Sequence, residues 1–168
     1  MACTVKGANK LYVTVSIPQQ TLRLLQGKVC LQEFSVSTAR NGGGELHGSE
    51  CTPRGWHIVR AKIGAGCGPD TVFVGRRPTG ERYDSELQAR YPGRDWILTR
   101  ILWLSGVEIG RNRFGKVDTM RRYIYIHGCP DTVPMGVPGS HGCIRMRNPD
   151  VVELFERIEV GTCVRIDD

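Results

Sequence analysis

Leu11-Tyr12-Val13-Thr14-Val15-Ser16-Ile17 alternates strictly, with Leu11, Val13, Val15 and Ile17 on one side and Tyr12, Thr14 and Ser16 on the other. A period of two puts all four apolar residues on one face of an extended chain, so the stretch predicts a half-buried β-strand. The theme repeats outward from there. Thr21 to Leu25 and Val29 to Ser37 flank Gln26-Gly27-Lys28 and predict a hairpin. Trp56 to Ile63, Val72 to Val74, Trp96 to Leu104, Tyr123 to Ile126 and Cys163 to Ile166 are short runs rich in branched and aromatic residues, each expected as a strand. Turn chemistry separates them at Thr52-Pro53-Arg54-Gly55 and at Gly64 to Gly68. Arg76 to Arg94 is polar and broken by Pro78, Gly80 and Pro92, which suits a long surface loop or a flap with a short helix.

A full helix is expected only near the end. Asn148 can cap it, Pro149 fits the first turn, and Asp150 suits the positive end of the dipole. Val151, Leu154, Phe155 and Ile158 form its apolar stripe, and Gly161 can end it. The expected fold is therefore mainly β, a single-domain β-sandwich with one late α-helix and long loops.

The 168 residues suit one domain, and 40% apolar with 24% charged residues reads as globular. Met1 to Lys10 has no apolar core, so no signal peptide is expected, and no run reaches membrane-spanning length. The net charge of +6 favours an anionic partner without choosing one. No aromatic-basic nucleic-acid signature appears, and the glycine-rich loop Arg40 to Ser49 lacks the Gly-Lys-Ser/Thr ending of a phosphate-binding loop. Seven scattered cysteines make a poor disulfide framework. Cys30 and Cys163, inside strand-like runs, are expected as small buried hydrophobes. Trp56, Trp96 and Trp103 are expected in the core.

His-Gly-Cys occurs twice, at His127-Gly128-Cys129 and His141-Gly142-Cys143. Cysteine and histidine combine as nucleophile and base near neutral pH. Gly139, Ser140 and Gly142 surround Cys143 with small groups, so a substrate backbone can approach it, and a turn there can aim backbone N–H groups at an oxyanion. An ordinary thiol is mostly protonated at pH 7 and needs a base, which His127 can supply from a strand end. No Asp or Asn is an obvious partner for that imidazole, which leaves a backbone carbonyl to orient it. His141 and Arg145 flank Cys143 at two residues on either side; each can serve substrate or loop.

Ser140-His141-Gly142-Cys143-Ile144-Arg145-Met146, preceded by Ile126-His127-Gly128, resembles the signature of the L,D-transpeptidase (YkuD-type) catalytic domain, and Thr52-Pro53-Arg54-Gly55-Trp56-His57-Ile58 is similar to another segment of that family. The likeness divides the chain into an N-terminal segment, 1–10, and a catalytic-type domain, 11–168. It implies a cysteine nucleophile acting on peptidoglycan tetrapeptide stems. The thiol attacks after the third, diamino-acid residue, releases terminal D-Ala, and passes the acyl group to an amine, giving a 3→3 cross-link or D-Ala exchange. Carried over, Cys143 is the nucleophile and His127 the base, with Gly128 orienting it. His141, Gly142 and Cys143 give oxyanion N–H groups beside Ser140, and His141 and Arg145 shape the donor site. No cofactor is implied, the partners are stem peptides, and a monomer is expected. The family works in the cell envelope.

Three rivals use the same residues or none of them. Hydrolysis of the thioester would make an L,D-carboxypeptidase. His127, Cys129, His141 and Cys143 formally complete a Cys₂His₂ metal set. The charge alone would suit a non-catalytic basic binding module. Cys129, which the motif does not require, is either a bystander thiol or a partner for Cys143 on oxidation.

Overall fold

The structure, a computed structural model, describes Cys3 and residues 9–168; apart from Cys3, Asn9 and Lys10, the expected N-terminal segment lies outside the described residues. Ten strands and two helices follow one another: β1 (Leu11–Ser16), β2 (Thr21–Gln26), β3 (Val29–Ser35), β4 (Gly55–Ile63), β5 (Thr71–Val74), β6 (Arg77–Arg82), α1 (Ser85–Arg90), β7 (Ile97–Gly106), β8 (Tyr125–Gly128), β9 (Ile144–Met146), α2 (Asn148–Arg157) and β10 (Cys163–Asp167). The mainly β expectation holds.

All ten strands join one hydrogen-bonded network in the order β3-β2-β1-β10-β4-β7-β5-β6, with β8 on β7 and β9 on β8. The β1/β10 and β8/β9 pairs are parallel, which brings segments far apart in sequence side by side. The long β7 is the branch point. β4 and β5 share one of its edges, and β8 runs along the other past a bulge at Thr99, whose backbone is left-handed.

The alternation read at Leu11–Ile17 is realised: Val13, Val15 and Ile17 are buried, and Leu11 packs partly against them. They share one core with Leu22 and Leu24 of β2, Val59 of β4, Leu102 and Leu104 of β7, Ile126 of β8, Ile144 and Met146 of β9 and Val164 and Ile166 of β10. Helix α2 closes it with Val151, Leu154 and Phe155 while packing on β7 and β8. Each such aliphatic side chain contributes about 1.5–3 kcal/mol by leaving water, so the β8/β9 pair is fixed from below by Ile126, Ile144 and Met146.

Several expectations change in detail. Strand β8 starts at Tyr125, because Tyr123 is left-handed at φ 56° and cannot continue a ladder. Strand β9 has three residues and β6 is polar, so neither carried a readable pattern. Within Arg76 to Arg94 the short helix does form, with Asp84 accepting from the Leu87 N–H at 2.7 Å. In α2, Arg147 and not Asn148 occupies the N-cap; the Asn148 amide instead donates to Asp70 Oδ1 at 2.9 Å. That helix ends at Arg157, before Gly161. Cys163 is buried but bonded to Cys3, and Cys30 is exposed on the edge strand β3. Of the tryptophans, Trp96 is buried while Trp56 and Trp103 are half-buried. Among the described residues no helix is long and apolar enough to cross a membrane.

Candidate active site

The register of β8 against β9 decides what meets what: Ile126 pairs with Ile144, His127 with Arg145 and Gly128 with Met146. Ile126, Ile144 and Met146 point into the core. By strand alternation Tyr125 and His127 take the other face of β8, and Cys143 and Arg145 the same face of the adjoining chain. Cys143 thus stands beside Tyr125 and diagonally from His127, its Sγ accepting from the Tyr125 N–H at 3.3 Å and donating to the Tyr123 carbonyl at 3.5 Å.

His127 is buried, and its Nδ1 lies 2.8 Å from the Gly128 carbonyl. A carbonyl can only accept, so Nδ1 carries the proton in the neutral ring and Nε2 keeps its lone pair. Burial lowers the His127 pKa, with the Arg145 charge acting in the same direction; the Gly128 bond and Asp95 oppose them. The Cys143 thiol is pushed up to about 12, chiefly by burial, although the Tyr125 N–H and the charges of Arg145 and Arg122 pull it back. The resting pair is a neutral thiol and a neutral imidazole.

Gly128 is required by crowding: a Cβ there would lie 2.2 Å from Asn148 Oδ1 and 2.7 Å from the Leu98 carbonyl oxygen. Gly142 is left-handed at φ 132°, and a Cβ would press on Ile124 at 3.0 Å. Ser140 shapes the turn between them. Its hydroxyl donates to the Cys143 carbonyl at 2.5 Å and accepts from the Gly142 N–H at 3.2 Å. The Gly142 N–H is thereby engaged, whereas the Cys143 N–H has no backbone acceptor among the described residues outside the strand ladders.

Four further residues complete the surroundings. Buried Thr52 accepts from the Ala39 N–H and donates to the Gly142 carbonyl, both at 2.9 Å, so the Thr-Pro segment props the Cys143 turn from behind. Asp95 takes Arg145 Nη2 at 2.7 Å and faces His141 Nδ1 at 3.5 Å. Burial opposes ionisation of Asp95, yet Arg145, His127 and His141 together hold its pKa below the usual carboxylate value. Arg122 is spent on the glycine-rich loop, donating to the carbonyls of Gly44, Glu45 and Cys51 and to Ser49 Oγ. Arg76 bonds the Tyr125 hydroxyl at 3.0 Å. Thr52 opens the Thr-Pro segment quoted above, whereas no sequence pattern marks Asp95, Arg76 or Arg122; each of the four reaches the site from a separate loop or turn.

Arg145 also donates to the Gly139 carbonyl at 3.2 Å, so its guanidinium braces the loop. His141 is exposed beside it. Among the described residues no three His, Cys, Asp or Glu side chains gather as a metal-binding group, so the Cys₂His₂ set is not assembled. Cys129 also stands apart from Cys143. Its N–H donates to the Met146 carbonyl, four register positions along the ladder from Tyr125. At ~3.3 Å per residue that is about 13 Å, beyond disulfide reach. Of the two readings of Cys129, the bond to Cys143 does not fit this fold, and both cysteines are free.

A mostly β domain that sets a thiol, in the turn leading into β9, beside an oriented imidazole on β8 defines the class. The chain belongs to the L,D-transpeptidase catalytic domain family (YkuD), whose model matches residues 10–166. It is 45% identical over 47 residues to the probable L,D-transpeptidase YbiS of Escherichia coli, covering 28% of this chain and 15% of that protein. It is 46% identical over 55 residues to the putative L,D-transpeptidase YqjB of Bacillus subtilis, covering 33% and 31%. Its fold is similar to an L,D-transpeptidase from Xylanimonas cellulosilytica (TM-score 0.55, 17% identity, 96% of this chain and 62% of that one). It is also similar to L,D-transpeptidase 3 from Mycobacterium tuberculosis in complex with a faropenem-derived adduct (TM-score 0.57, 17% identity, 94% and 60%). The chain therefore spans less than two thirds of these relatives.

Proposed function

We propose that this chain is a cysteine acyltransferase acting on peptidoglycan tetrapeptide stems, with Cys143 as nucleophile and His127 as general base. The observation that carries the reading is the tautomer lock: the Gly128 carbonyl holds the proton on Nδ1, so Nε2 is the basic nitrogen of an imidazole on the same face as Cys143. His127 Nε2 takes the thiol proton as Sγ attacks the carbonyl carbon of the diamino-acid residue. The oxyanion is met by the N–H of Cys143 and neighbouring backbone donors of the turn. On collapse the C–N bond breaks, the imidazolium returns its proton to the leaving D-Ala amine, and a thioester remains on Cys143. An acceptor amine then attacks that thioester, giving a 3→3 cross-link when the amine belongs to a second stem.

Purified reduced protein given disaccharide-tetrapeptide and an added D-amino acid tests the reading by product mass. Exchange of terminal D-Ala for the added residue is expected, and Cys143→Ala abolishes it. Release of D-Ala without exchange would assign hydrolysis instead, and no release from folded protein would overturn acyl transfer on this donor.

A further inference from the structure

Three guanidiniums approach Cys143, Arg145 and Arg122 acting on it directly and Arg76 through Tyr125, and the first two are already engaged. Arg145 is paired with Asp95 and Gly139, and Arg122 is consumed by four oxygens of the glycine-rich loop. The third, Arg76, has no carboxylate partner among the described residues. It sits at the tip of the β5/β6 hairpin, where Gly75 and Arg76 are both left-handed, at φ 55° and 65°. Its guanidinium lies over the Trp103 ring at 4.5 Å and the Tyr123 ring at 5.0 Å, and donates one hydrogen bond, to the Tyr125 hydroxyl. Ring faces fix the plane of a guanidinium while leaving its edge donors open, the arrangement suited to forking onto a carboxylate.

The holder of this cation is also the holder of the nucleophile. Tyr123 and Tyr125 supply the two backbone groups that touch Cys143 Sγ, and their rings, with Trp103, supply the seat for Arg76. Tyr123 is itself left-handed at φ 56°. Two bulky residues in this strained backbone region, stacked on each other beside a reactive thiol, mark a ligand clamp more readily than a packing accident. From sulfur to guanidinium the path runs the length of one tyrosine, from backbone N–H to hydroxyl. A carboxylate one residue beyond a carbonyl under attack stands nearer the sulfur than the guanidinium does, so it falls between the two.

We infer that Arg76 is a specificity-determining residue that receives the C-terminal carboxylate of the leaving amino acid, so the enzyme selects donors ending one residue after the scissile bond. This rests on the acyltransferase reading above.

The test compares two donors, disaccharide-tetrapeptide ending in D-Ala and the same molecule ending in D-alaninamide, with wild type, Arg76→Ala and Arg76→Lys. A charge-assisted pair supports roughly 10- to 100-fold discrimination. Wild type is expected to prefer the acid by that factor in kcat/KM, mostly through KM. Arg76→Ala should bring the acid-to-amide ratio close to one, and Arg76→Lys should keep part of it. Because the readout is a ratio on one protein preparation, partial misfolding does not imitate the result. Equal loss on both donors, or a ratio unmoved by Arg76→Ala, overturns the inference alone. Failure of wild type to turn over either donor overturns the acyltransferase reading and this inference with it.

Discussion

At the scale of single residues, the resting site is uncharged where many thiol enzymes hold an ion pair. Burial pushes Cys143 up to about 12 and pulls His127 below the ordinary imidazole value. The two shifts agree, since a low-dielectric pocket disfavours thiolate and imidazolium alike. In the proposed acyl transfer the proton therefore moves during attack, when the base and the oxyanion donors act together. The expected signature is in alkylation of Cys143 by iodoacetamide, followed by mass spectrometry of the peptide. The rate should be low at pH 7 and climb through pH 9 without a plateau. A plateau near pH 6, the mark of a preformed thiolate–imidazolium pair, would contradict the neutral site. His127→Ala should lower acyl transfer by ~10²–10⁴ and leave the alkaline limb of alkylation in place.

At the scale of elements, the site depends on a turn held by a strand it does not touch in sequence. Thr52, just before β4, bridges the Ala39 N–H and the Gly142 carbonyl. Thr52→Val keeps the volume but orphans both buried groups, at a cost of about 1–3 kcal/mol each. The melting temperature should fall, and acyl transfer should fall further than stability explains, because the released carbonyl belongs to the turn that carries Cys143. Thr52→Ser restores the hydroxyl and should recover most of both; an unaltered Thr52→Val enzyme would disprove the strut. The same example shows what the sequence could and could not tell. Strands with regular alternation, such as Leu11–Ile17, and the stripe of α2 were legible because local periodicity encodes burial. The His-Gly and Ser-His-Gly-Cys stretches were legible because their residue types carry chemistry. Strand β9, too short to have a period, was not. Nor were Asp95, Arg76 and Arg122, whose roles arise only when parallel pairing and loop packing bring distant segments together. Asn148 misled for a related reason: it is a good cap by type, but its amide is taken by Asp70 across the fold.

At the scale of the whole molecule, acid stability follows from histidines shut inside the fold. His57 lies in β4, fully buried, its Nδ1 donating to the Gly55 carbonyl at 3.0 Å and its Nε2 3.1 Å from the Thr119 hydroxyl. It thereby ties the central strand to the connection that leads into β8. Burial drives its pKa from 6.5 down to about 4, the Gly55 bond only partly resisting. The folded state thus refuses a proton that the unfolded chain accepts below pH 6.5, so stability is full above that pH and falls as pH drops toward 4. With ~1.4 kcal/mol per pKa unit, the loss approaches about 3 kcal/mol. His127, also lowered, adds to it with the same sign. Glu45 and Glu108, held below their ordinary 4.5 despite some burial, lose their contribution only under that pH. Between pH 6.5 and 4.5 the histidines therefore dominate. Thermal melts across this window should show the melting temperature falling roughly 2–4 °C per kcal/mol. His57→Gln should lower stability at pH 7 yet flatten the slope, and His127→Gln should flatten it separately. If His57→Gln leaves the wild-type slope intact, the buried imidazole of β4 is not what sets the acid limit of this fold.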